Sequence, residues 1–481
     1  MSYSRILLEI HIFSLLSGLL FFLLKASPVA IAPIVIYVSI RSIPIIQTID
    51  YRNIVIFLVG LALFIDDVSQ VAWGRNIEMP TELLGKILFE SFGLTGLEMA
   101  TIFLLLWIVL IEQPSAKISW IRHGLVSLTL MISSYFLVSF FSAFVGLIKG
   151  GDLNIHFIQS RFLHLLPMWT VIGFFCIDHE AIATRIMKVI AVVMTLKSVQ
   201  ALLVYLVYPG DMLDPEYLVD HYFSMFSVIA LVFTIGIIVS RQHSIWLRSF
   251  LSLGSLPVFL VYILNQRRTS YVGAIFALLL IPLFFKREWY KRYAANILIV
   301  AGLLIAIVGS TWFLPAPFSF LRTTIDSLQE EQTMEFPAYR ALENGNLLNA
   351  IGTAPILGLG TGQEFEEVFR MPDISFVYDR YRMIPHNLFL ASWAYGGLLG
   401  ILALSLIFSF MVSHTGSLFR YSHQSNLMIF SLCSFFFLIQ YIVYTYGDLG
   451  LQIPRNQMFA GLLFGGVCRL LAIGRREKWA S

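Results

Sequence analysis

A chain of 481 residues that is 58% hydrophobic and 13% charged, with a mean hydropathy of +0.80, cannot be a soluble globular domain and reads as an all-α polytopic membrane protein. Its formal charge of +3 gives no electrostatic footing for nucleic acid. Cys176, Cys433 and Cys468 all fall within apolar runs, which supports neither a disulfide framework nor a thiolate metal site.

The first apolar run, 6–24, has no small-residue cleavage site behind it and is predicted to stay as a transmembrane helix. Fourteen runs have the length to span roughly 30 Å of hydrocarbon. They cover 6–24, 28–46, 53–71, 94–111, 124–148, 162–177, 182–208, 221–240, 246–264, 269–285, 295–313, 386–411, 426–446 and 455–473. There is no short-period repeat, and no linker separates soluble domains, so 1–481 reads as a single integral membrane domain. Lys and Arg alternate between successive loops. One set holds Arg41, Arg52, Lys117, Arg122, Arg185, Lys188, Lys286 and Arg287, and the other is basic-poor and includes the acidic stretch 211–216. Short basic loops stay in the cytoplasm, so both termini are predicted inside and 314–384 outside, as one long loop containing short helices. Long loops in compact proteins usually carry function, so part of any active site is expected there.

Charges inside the runs need compensation. Lys197 sits in the middle of the seventh run, and Glu9, Glu98 and the pair Asp66 and Asp67 are apolar-flanked carboxylates able to offset it. A structural ion pair is the favoured reading over a proton or substrate path.

Within the outer loop, Tyr339, Leu342, Leu347, Leu348 and Ile351 predict a short interfacial helix, followed by a turn with Gly358, Gly360 and Gly362. That turn is either plain flexible chain or a set of backbone N–H groups open to a phosphate. No P-loop lysine follows, so a nucleotide is not expected. Arg267 and Arg268 lie at the outer mouth of the tenth run, against the inside-positive trend. They read either as snorkelling side chains or as forks for a diphosphate, with Arg340 and Arg161 as further candidates on the same side. Finally, Ile384-Pro385-His386-Asn387-Leu388 opens the twelfth run, as an ordinary cap or as a placed polar site.

Three blocks in order, RRTSYVGAIFALLL at 267–280, YRALENGNLLNAIGTAPILGLGTGQEF at 339–365 and PHNLFLASWAYGGLLGILALSL at 385–406, resemble the O-antigen ligase and O-antigen polymerase superfamily. Pro385-His386-Asn387 with the trailing Gly396, Gly397 and Gly400 is the most specific part. The resemblance implies a GT-C-like fold of about 12–14 transmembrane helices. It also implies a bacterial inner-membrane glycosyltransferase that takes an undecaprenyl-diphosphate-linked oligosaccharide at the periplasmic face. In that reading His386 is the acceptor's base and Arg268 and Arg340 hold the departing diphosphate. Arg267, Arg161, Asn387, Gly358, Gly360 and Gly362 bind substrate. No metal or other cofactor is implied, and no His or carboxylate cluster has metal-ligand spacing. The implied partners are the lipid-linked donor, a glycan or lipid A core acceptor, membrane lipids and a chain-length regulator.

The activity is then polymerase, joining lipid-linked repeats, or ligase, moving the glycan to lipid A core or another acceptor. The extra helices and the acidic outer segment lean towards polymerase. A non-enzymatic flippase is the contrasting class, for which a long outer loop ending in His-Asn at a helix mouth is not expected.

Overall fold

A computed structural model describes residues 50–64, 95–111, 126–207, 219, 222–240, 243–265, 267–284, 339–373, 382–422, 424–447 and 453–480. Every regular element among them is helical. In chain order they are α1 (Tyr51–Phe64), α2 (Gly96–Ile111), α3 (Val126–Ile148), α4 (Leu153–Gln159), α5 (Arg161–Cys176), α6 (Glu180–Val207) and α7 (Phe223–Ser240). There follow α8 (Ile245–Leu264), α9 (Arg268–Leu280) with a 3-10 turn Ile281–Phe284, α10 (Tyr339–Thr353), α11 (Leu388–Tyr421), α12 (Ser425–Gly447) and α13 (Pro454–Ala480). The chain divides into two compact units, Met1–Phe57 and Leu58–Ser481. Of the first, only residues 50–57 are described; the fold below is that of the second.

Among the described residues, six helices are long and apolar enough to cross a membrane, and shorter apolar helices lie on five more of the expected runs: 53–71, 94–111, 124–148, 162–177 and 269–285. The protein is thus all-helical and polytopic, as its composition requires. The expected runs 6–24, 28–46 and 295–313 lie outside the described residues. So do 314–338 and 374–381 of the long loop.

Burial sorts the helices. In α12 the successive residues Phe435, Phe436, Phe437 and Leu438, which point to all sides of the helix, are buried, as expected of a helix packed inside a bundle. In α8, by contrast, Trp246, Leu253 and Leu256 are exposed on a face suited to lipid. α5 and α13 pack closely through small residues: Gly461 and Gly465 are four apart, and their Cα faces press on the backbone at Leu166 and Thr170. Between apolar helices in lipid, such close approach replaces the hydrophobic drive that water would supply.

α11 is a broken helix. Gly397 has φ 62° and ψ −159°, a conformation essentially restricted to glycine. The break leaves helical backbone groups without their usual partners, and the turn after α10 supplies them. Leu359 N–H donates to Ala394 O (2.7 Å), Gly360 N–H to Tyr395 O (3.0 Å), and Leu398 N–H to Ile356 O (3.0 Å). Irregular backbone inside a membrane bundle survives only when its polar groups are satisfied in this way. The second and third sequence blocks are therefore one interlocked unit.

Candidate functional site

α10 brings the segment that follows α9 in the chain onto the start of α11. Leu347, Ala350 and Ile351 form one face, and they pack with Phe365, Met371 and Ala394, flanked by Tyr339, Leu390 and Trp393. On the same face, one turn earlier, the fully buried Glu343 meets His386. Its Oε2 accepts the His386 backbone N–H at 3.0 Å, and both carboxylate oxygens lie 3.2 Å from Nδ1. The Tyr339 ring stands edge-on to the imidazole at 5.8 Å and 81°. The His386 side chain keeps 17% of its surface exposed. A carboxylate at Nδ1 selects the tautomer with hydrogen there, which leaves Nε2 with its lone pair as a proton acceptor.

Arg340, one residue after Tyr339, sends Nη1 to the carbonyl of Gly447 at the C-terminus of α12. A cation at that end of a helix is favoured by the helix dipole. The remaining donors of the fork stay on an exposed side chain. The first turn of α9 lies against the same helix: Ser270 Oγ donates to Gln440 Oε1 at 2.9 Å, and a side chain at Gly447 would meet Thr269. Arg267 occupies the N-cap position there without a capping hydrogen bond, and Arg268 opens the helix, its side chain lying outside the described part. Two arginines at the positive end of a helix do nothing for helix stability. Phe389 and Tyr446, with ring centroids 6.3 Å apart, close the group by joining the start of α11 to the end of α12. The structure thus gathers Tyr339, Arg340, Glu343, His386 and the Arg267–Arg268 end of α9 at one end of the bundle.

Other sequence candidates have different local roles. Asn387 is buried, and its Oδ1 accepts Leu390 N–H at 3.2 Å as the N-cap of α11. Gly358, Gly360 and Gly362 have φ of 73°, 85° and 98°, so the turn does need glycine. Their N–H groups are already donors, however, to Ala354 O, Tyr395 O and Gln159 Oε1. Close packing accounts for them: the Cα faces of Gly358 and Gly360 press on backbone at Tyr395 and Gly146. The phosphate-cradle reading is corrected on that ground. Arg161 is 9% exposed and donates from Nε to Glu98 Oε1 at 2.9 Å, with His164 Nε2 at 3.2 Å from the same oxygen. Glu98 also closes a capping box with Thr95 (2.5 and 3.2 Å).

Glu98 is therefore the partner of Arg161, which removes it from the four carboxylates expected as able to offset Lys197. The Lys197 ammonium lies 3.5 Å from Leu63 O in the last turn of α1 and 6.0 Å from the Phe223 ring. The carboxylates Glu9, Asp66 and Asp67 lie outside the described residues. Outside the spans, burial holds the His156 imidazole below its ordinary value, with His164 nearby adding to the effect, and its Nδ1 sits 2.5 Å from Thr361 Oγ1.

Sequence reasoning missed Glu343. The available signal was its spacing: four residues after Tyr339 and three after Arg340, it shares their helical face. Among the described residues no three His, Cys, Asp or Glu side chains are grouped to hold a metal ion.

Residues 253–405 match the model of a protein family described as O-antigen ligase. The match runs from within α8 through α9, α10 and the glycine turn into α11, and it contains Arg267, Arg268, Arg340, Glu343 and His386. No curated protein matches the chain.

Proposed function

We propose that the chain acts as a member of the O-antigen ligase and polymerase superfamily, which the match over residues 253–405 supports, and that it transfers a glycan from a polyprenyl-diphosphate carrier to an acceptor hydroxyl. The observation that carries the reading is the Glu343–His386 pair beside Arg340, on elements that all lie within the matched region. In the proposed step the acceptor oxygen attacks the anomeric carbon while the bond from that carbon to the diphosphate oxygen breaks. The hydroxyl proton passes to His386 Nε2, and the lipid diphosphate leaves with the electron pair. Glu343 orients the imidazole and faces the imidazolium that forms. Arg340, with Arg267 and Arg268, holds the charge that grows on the leaving group, a role suited to guanidinium forks in a site partly shielded from water. No metal is assigned a part.

We place this end of the bundle at the periplasmic face of a bacterial inner membrane, with both termini cytoplasmic, on the loop charges described above. The acceptor class is the finer part of the proposal. Polymerase rests on the extra helices and the acidic outer segment, and under it a chain-length regulator is the further partner. Ligase rests on the description of the matched family. Purified protein in lipid, given the lipid-linked donor alone, separates them: elongation of the carrier-bound glycan supports polymerase. Transfer only after lipid A core is added supports ligase, and no transfer under either condition contradicts both.

A further inference from the structure

We infer that Gln159 is a positioning residue for this transfer, tying the glycine turn to the segment that presents His386; the inference rests on the reading of His386 as the base. Gln159 ends α4, outside the matched region, and is 5% exposed. Its Oε1 accepts Gly362 N–H at 2.7 Å. Its Nε2 donates to Gln363 O at 2.6 Å and to Met383 O at 3.1 Å. The orientation of the amide is forced, because an N–H can only donate and the two carbonyls can only accept. A single side chain thereby holds together the two ends of the loop that leaves at Gln363 and returns at Met383, three residues before His386.

The two ends are not equally dependent on it. The glycine turn is also held by Asp152 N–H to Gly362 O (2.8 Å), Thr361 N–H to Ser142 O (3.1 Å) and Lys149 Nζ to Gly358 O (3.0 Å), besides its bonds to the break in α11. Before His386 itself is taken up by Glu343, the returning end has, among the described residues, a long Phe365 N–H to Arg382 O contact of 3.5 Å and the exposed Arg382–Glu367 pair at 2.7 Å. Loss of the Nε2 donors therefore falls mainly on Met383 and the chain leading to His386. A glutamate here retains the acceptor for Gly362 but faces two carbonyls with a carboxylate, so the site specifically requires an amide.

The test uses the full chain purified into lipid, with a defined lipid-linked donor and acceptor, and kcat expressed per folded molecule. Gln159→Glu and Gln159→Met are each expected to lower kcat by roughly 10- to 100-fold, the scale of a small misplacement of a reacting group, with donor KM changed less than about twofold. Introduced into His386→Ala, neither lowers the residual kcat further, because the effect runs through the imidazole. Gln159→Asn, which keeps the amide on a shorter stem, guards against misfolding of the other two and is expected to lose kcat in the same way.

Wild-type kcat in the Gln159 variants alongside an inactive His386→Ala overturns the positioning role and leaves the base assignment standing. The same holds for a loss that adds fully to His386→Ala, or one confined to KM. Wild-type turnover in His386→Ala itself overturns the base assignment and this inference together.

Discussion

Replacing Glu343 by glutamine is the sharpest perturbation of the proposed dyad, because it preserves shape and can still accept the His386 backbone N–H while removing the charge opposite Nδ1. At 3.2 Å and an effective dielectric near 20, carboxylate and imidazolium attract by about 5 kcal/mol before desolvation is subtracted. Losing one partner of a buried, hydrogen-bonded charge pair typically costs about 2–5 kcal/mol. Expressed only as the imidazolium forms, such a loss corresponds to a roughly 30- to 5,000-fold fall in kcat. An amide nitrogen facing Nδ1 also favours the tautomer with hydrogen on Nε2, which abolishes the acceptor and pushes the effect to the upper end. Glu343→Ala adds an unsatisfied N–H beside the site and is expected to destabilise the fold by about 1–3 kcal/mol as well, so the glutamine variant isolates the chemistry. The assay is glycan transfer in lipid with donor affinity measured in parallel, and affinity should hold. Wild-type kcat in Glu343→Gln refutes the assignment of Glu343 as the group that orients and charges His386.

Arg340→Ala is expected to lower transfer by about 100-fold with the protein still inserted, as for loss of one charge-stabilising donor, and Arg340→Lys to rescue poorly because an ammonium is a point charge. Full activity in Arg340→Lys identifies the residue instead as a helix C-terminal cap on Gly447. Gly397→Ala forces a non-glycine residue into a glycine-only conformation and against the Ile356 carbonyl, so thermal stability in detergent should fall by at least about 1–3 kcal/mol; unchanged melting refutes the broken-helix account. His156 titrates below its ordinary 6.5 in the folded chain, so the unfolded chain binds more protons between that lowered value and 6.5. Its stabilisation is thus complete above pH 6.5 and lost as pH falls through the window. The melting temperature should drop on acidification there and His156→Gln should flatten the drop, whereas parallel curves contradict it.

The membrane architecture was legible because it is written in composition: a run of apolar residues long enough to span needs no tertiary information. α10 and the glycine turn were likewise readable from periodicity and residue type. Pairings were not. Glu98 and Lys197 both stood out as buried charges, yet whether Glu98 faces Lys197 or Arg161 depends on which helices pack together, a fact no local pattern carries. The glycines misled for a related reason. The turn does need glycine, but its N–H groups are spent inside the fold, on Ala354, on Tyr395 at the break in α11 and on Gln159, and Gly396-Gly397 reads as a break only once the turn that fills it is seen. Glu343 lay inside a quoted block and went unread because a carboxylate on a polar helix is normally solvated; its burial comes from the packing of Leu347, Ala350 and Ile351 on α11. The arginines at 267 and 268 stand out in sequence because their position breaks the charge trend, and they form the N-terminus of α9.

The most direct test of the account is turnover of His386→Ala in lipid with a defined lipid-linked donor and acceptor, read together with donor affinity. The account predicts a fall of roughly 100- to 10,000-fold in transfer, the usual contribution of a positioned base, with donor affinity retained because the arginines hold the diphosphate. Turnover at the wild-type level contradicts it.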